Sequence, residues 1–165
     1  GRKATIEKCK VSVGGIAAGS KTYDGTVETT VDPSKAVIVD LNGKIVERDV
    51  RASVQDNKGE FDSKDAGMRK AVSCSVALEG ADASSYVLDD SNGQVVARAN
   101  ILPLTAELAW TDTQHTYDGE EHVPAASVTN KVGEDDVTVE VTGGQTDVGD
   151  YTATATRFGG ADRGI

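Results

Sequence analysis

Both histidines of the chain flank one tetrapeptide: His115-Thr116-Tyr117-Asp118-Gly119 is followed by His122. Asp-Gly is a strong signal for a two-residue hairpin loop, because a type I′ turn takes positive φ at both central positions. With Asp118 and Gly119 in that loop, Tyr117 faces Glu120, Thr116 faces Glu121 and His115 faces His122. Two imidazoles, a phenol and a carboxylate would then share one side of a ribbon, a set that suits zinc. The same letters occur earlier in Lys21-Thr22-Tyr23-Asp24-Gly25, where the register pairs Lys21 with Glu28 and Tyr23 with Thr26. That copy carries no histidine, so the motif does not need a metal. We therefore read Tyr23-Asp24-Gly25 and Tyr117-Asp118-Gly119 as a structural hairpin motif. Its tyrosine seats the loop against the core, and its hydroxyl finds a polar partner.

Other chemistry is thinly represented. A Ser-His-Asp or Cys-His apparatus would have to be built on the His115/His122 ribbon. No G-x-S-x-G, Walker A or Rossmann fingerprint is present. Glu134-Asp135-Asp136 and Asp89-Asp90 sit beside turn residues and read as solvated loops. Asp89-Asp90-Ser91-Asn92-Gly93 offers oxygens to calcium but lacks the full EF-hand spacing. The aromatic content of 4% is low for a sugar-stacking face. No catalytic, cofactor-binding or metal residue is assigned, no cofactor is expected, and the chain is read as non-enzymatic.

The two cysteines lie in alternating segments. Around Cys9 the chain reads K-C-K-V-S-V, and around Cys74 it reads V-S-C-S-V. If both are strands, each thiol shares a face with valines and points into a core. Cys9–Cys74 is thus a candidate disulfide, stabilising by about 4 kcal/mol in the chain-entropy model. Two free thiols behaving as small hydrophobes are the alternative.

The elements that must position these residues read as strands. Alternation recurs at 6–13, 36–41, 50–55, 72–78, 95–101, 104–110, 137–141 and 151–156, with Gly-, Asn- and Pro-bearing turns between. Only 80–86 could hold one short helical turn. Residues 1–102 carry a net charge of −1 and residues 103–165 a net charge of −9. An acidic half of that kind repels a phosphate backbone and an anionic membrane. No apolar run approaches the roughly 20 residues of a membrane span. The first residues carry no signal-peptide pattern and the last end abruptly, so the chain is expected to be a piece of something longer.

The repeat extends beyond the tetrapeptide. One series runs E-R-D-V at 47–50, D-A-G at 65–67 and E-G-A-D-A-S-S-Y-V-L at 79–88. A second runs E-D-D-V at 134–137, D-V-G at 147–149 and G-G-A-D-R-G-I at 159–165. The landmarks keep their order, with the join near I-L-P-L-T at 101–105. This pattern, with T-G-G-Q-T-D-V-G-D-Y-T-A-T-A-T at 142–156, resembles the YDG and MBG repeat domains of bacterial surface adhesins, such as filamentous-haemagglutinin-like exoproteins. Residues 1–101 resemble a YDG-type unit. Residues 102–165 resemble an MBG-type unit that stops before its closing segment.

The fold expected is all-β, as two tandem β-sandwich-like (Ig-like) domains, with a β-grasp-like α+β arrangement as the alternative. The resemblance implies export to the cell surface, wall-attached or secreted, and no catalytic residues. The expected role is a monomeric stalk or spacer whose partners are neighbouring repeat domains of the same polypeptide. The alternative role is an adhesin module that grips a host or matrix glycan or protein.

Overall fold

The computed structural model describes residues 1–89 and 93–162, and they are almost entirely strand, turn and loop. Expected and observed strands coincide where apolar and polar residues alternate. These are β5 (Val37–Asp40), β6 (Arg51–Val54), β8 (Gly67–Glu79), β10 (Gln94–Leu102) and β13 (Thr138–Thr142). The fold is all-β. At 80–86 the structure forms only a three-residue 3-10 turn, Ala83–Ser85, too little helix for a β-grasp arrangement.

The chain divides into two units, Gly1–Lys21 with Thr26–Leu102, and Thr22–Gly25 with Pro103–Ile165. In the first, β1 (Cys9–Gly14) lies between β5, antiparallel, and β9 (Tyr86–Leu88), parallel. A larger sheet runs β2 (Ala17–Ala18), β4 (Glu28–Asp32), β7 (Lys58–Phe61), β8, β10 and β3 (Lys21–Thr22). The long β8 is its spine, pairing β10 through Cys74↔Val95 and β6 through Val54↔Val76. Val11 and Ile38 from the small sheet and Val31, Phe61, Val72 and Ile101 from the large one are buried. Gly59 is fixed by packing: a Cβ there would come 2.8 Å from methyls of both Val31 and Val72.

The second unit is built from two short antiparallel ribbons. β11 (Leu108–Thr111) pairs β12 (Ala125–Val128), and β13 pairs β14 (Thr154–Gly159). His122 and Gln145 exchange backbone hydrogen bonds at 2.9 and 3.0 Å. Two strands start later than the alternation predicts: 104–107 precede β11, and Tyr151 precedes β14. Val128, Val137, Tyr23 and Asp135 are the buried side chains described for this unit.

Candidate functional site

The first Tyr-Asp-Gly copy is an anchor rather than a hairpin. Lys21–Thr22 pairs with β10 and Glu28–Asp32 with β2 and β7, so the two flanks never pair with each other. Of the two loop residues only Gly25 has positive φ, at 76°, which rules out the type I′ turn. Tyr23 is 3% exposed, and its hydroxyl donates to Asp135 Oδ2 at 2.7 Å. Asp135 is itself only 8% exposed, so of the expected solvated loop at 134–136 only Glu134 and Asp136 are exposed. A charge-assisted bond of this kind contributes about 1.5–3 kcal/mol. A Cβ on Gly25 would approach Val132 Cγ1 to 2.9 Å. Lys21 Nζ closes the loop's ends, donating to the Thr26 carbonyl (2.8 Å), the Thr26 hydroxyl (2.9 Å) and the Glu28 carbonyl (2.8 Å).

The second copy has the same letters and a different environment. Residues 115–121 form no ladder, and the expected hairpin is absent here too. Asp118 Oδ1 instead accepts the Glu120 amide at 2.9 Å, an Asx-turn, and His122 Nε2 at 2.8 Å. The Glu120 amide first, and then His122, hold the Asp118 carboxyl below its ordinary value. The two imidazoles do meet, stacked at 4.3 Å between centroids and 15° between planes. His115 Nε2 lies 2.7 Å from the Asp112 carbonyl. Facing a carbonyl and a carboxylate, both Nε2 atoms must carry hydrogen, which leaves only Nδ1 on each ring as an acceptor. Tyr117 is 64% exposed.

Two of the remaining landmarks, the aspartate at 49 or 136 and the G-A-D at 80–82 or 160–162, meet in space in each unit. In the first unit the Asp82 amide donates to the Asp49 carbonyl at 2.9 Å, and the Asp49 amide donates to Asp82 Oδ2 at 3.0 Å. The Ala81 amide donates to Asp49 Oδ2 at 3.0 Å. In the second, Asp162 to the Asp136 carbonyl (3.1 Å), Asp136 to Asp162 Oδ2 (3.1 Å) and Ala161 to Asp136 Oδ2 (3.2 Å) repeat the set. Gly80 and Gly160 take φ of 119° and 97°. Cβ atoms there would fall 2.3 and 2.2 Å from the Asp49 and Asp136 carbonyl oxygens. The G-A-D letters therefore spell a reciprocal clamp on an aspartate.

The family model of the YDG domain matches residues 6–93. The chain belongs to the YDG-domain family. No curated protein and no solved structure matches it. The matched YDG span holds Tyr23-Asp24-Gly25, the Asp49 clamp and both cysteines; Tyr117-Asp118-Gly119 lies outside it.

Within the YDG span the candidate disulfide is not formed: Cys9 and Cys74 are both free. Cys9 opens β1 in the small sheet and is exposed, although Val11 two positions on is buried. Cys74 is buried mid-strand in the large sheet, its Sγ 3.7 Å from the Val95 carbonyl. Alternation sets the face but not whether a strand's first residue is covered. Burial pushes the Cys74 thiol up. Asp89 lies 3.9 Å from Lys10 Nζ, while Asp90, Ser91 and Asn92 of the calcium candidate lie outside the described residues.

One cleft, of about 340 Å³, gathers exposed rings in the second unit. Tyr117, Tyr151, His115 and His122 line it with Asp147 and Asp150. The alternation at 151–156 hides this cleft, because it places Tyr151 inside a strand, whereas the residue lies ahead of β14.

Proposed function

We propose that this chain is a non-catalytic structural module, a stalk or spacer, of an extracellular bacterial surface protein. Membership of the YDG family and the adhesin-like motif order support that context. The parallel pairing of β1 with β9, Cys9↔Tyr86 through Val11↔Leu88, carries the mechanical part of the reading. Force entering at the start of β1 and leaving beyond β9 loads those hydrogen bonds in shear, so they must yield together. A module whose work is to keep its length under load uses that arrangement, because resistance to forced unfolding depends on the unfolding rate.

Single-molecule stretching of the chain tests this reading. Pulled from residues 9 and 88, which loads that ladder in shear, it is expected to resist severalfold more force than when pulled from residues 9 and 86, where the same strands peel apart. Equal forces in the two geometries would remove the support for a spacer. The cleft favours a second reading, a module that grips a partner.

A further inference from the structure

We propose that the cleft of the second unit binds an organic cation, an ammonium or guanidinium group. The group would seat against the rings of Tyr117 and Tyr151, with Asp147 and Asp150 as its counter-charges. The inference rests on the partner-binding reading alone, so its failure leaves the spacer reading untouched.

The chemistry of the lining selects the ligand. Tyr117 and Tyr151 are 64% and 49% exposed, a large aromatic area for one small cleft. Gly149 seats the Tyr151 ring: a Cβ there would come 3.0 Å from its Oη and 3.1 Å from Cζ. Exposed ring faces attract cations through their quadrupole. Among the described residues no lysine or arginine lines the cleft, and residues 103–165 carry a net charge of −9. That field repels phosphate, sulfate and acidic sugars and draws cations in. The Asp147 and Asp150 side chains make no hydrogen bond or ion pair among the described residues. A neutral sugar could lie on the rings but would leave this charge unused.

The first unit shows the contrast in its sequence. Set against the same landmarks, Lys21 and Glu28 stand for His115 and His122, and Arg69 stands for Tyr151. Two cations there replace two rings. Such a surface could not hold a cation, so the character of the cleft belongs to the second unit.

Ligand titrations of the whole chain, followed by the NMR signals of the tyrosine rings, test the proposal. The probes are tetramethylammonium chloride, Nα-acetyl-lysine N-methylamide and Nα-acetyl-arginine N-methylamide, with Nα-acetyl-norleucine N-methylamide as the neutral control. Saturable shifts at Tyr117 and Tyr151 are expected with at least one cation and not with norleucine, and they should weaken as salt is raised. Preference for tetramethylammonium would identify a free quaternary ammonium; preference for lysine or arginine would identify a side chain on a partner protein. Tyr117→Ala and Asp150→Asn should each weaken binding about tenfold, while Tyr151→Phe, which keeps the ring, should retain it.

No saturation by any cation up to roughly 50 mM would overturn the proposal. So would an equal response to norleucine, or cation binding that Tyr117→Ala and Asp150→Asn leave unchanged. Saturable binding of methyl β-galactoside without cation binding would also overturn it, in favour of a glycan.

Discussion

In the loop Thr22–Gly25 the tyrosine is 3% exposed and donates to a buried carboxylate, whereas Tyr117, at the head of the same three letters, is 64% exposed. The difference is set by what lies around each loop. Gly25 approaches Val132, and Tyr23 meets Asp135; Gly119 has open space around it. Where the tyrosine has a buried acceptor, the motif anchors. Where it has none, Asp118 turns to the Glu120 amide and His122, and the ring stays on the surface to line a cleft. A short motif fixes a turn preference, and its surroundings decide its use.

The largest effect that would break this comparison is on stability. Tyr23→Ala removes a buried ring and the donor to Asp135, and should cost about 3–5 kcal/mol in urea unfolding. Tyr117→Ala should stay within about 0.5 kcal/mol of the parent. Equal costs would mean that the two copies do the same work.

The clamps supply the opposite control, a place where the two units agree. Gly80→Ala and Gly160→Ala each force a Cβ onto a carbonyl oxygen at positive φ. Each should destabilise by about 1–3 kcal/mol or more, measured by the same unfolding curves. A smaller step sharpens the anchor itself. Tyr23→Phe keeps the ring and removes only the hydroxyl, so a loss of about 1–3 kcal/mol would measure the bond to Asp135.

Much of the architecture was legible, for a simple reason. Strands such as β8 and β10 alternate over many residues, and period-2 alternation survives any choice of partner. β7, Lys-Gly-Glu-Phe, and β4, Glu-Thr-Thr-Val-Asp, were not legible. Gly59 and the charged ends hide a strand whose apolar content is one or two residues. The hairpins misled because Asp-Gly reports a local preference, while the flanks of the first copy pair with other strands and those of the second form no ladder. Asp135 was invisible as a partner because an acid among acids beside a turn looks solvated, and its donor lies far away in sequence. The register predicts that His115 and His122 face each other; their rings do meet, stacked, although the ribbon behind that register does not form.

The smallest effect concerns the exposed copy. The Asp118 carboxyl, held low by the Glu120 amide and then by His122, should titrate below an ordinary aspartate in an NMR pH series. Because its folded value is depressed, what it adds to stability is present above the ordinary aspartate value. That contribution is lost as pH falls through the folded one. His122→Asn should raise the midpoint only part of the way, since the Glu120 amide remains. A full return to the ordinary value would mean that the Asx-turn does not persist in solution.

The most direct test of the contrast is nitration of the native chain with tetranitromethane, read tyrosine by tyrosine by mass spectrometry. Tyr117 should be modified readily in the folded protein, and Tyr23 only after denaturation. Modification of both at one rate, or of Tyr23 first, would contradict the account of one motif used as a buried anchor in one place and an exposed wall in the other.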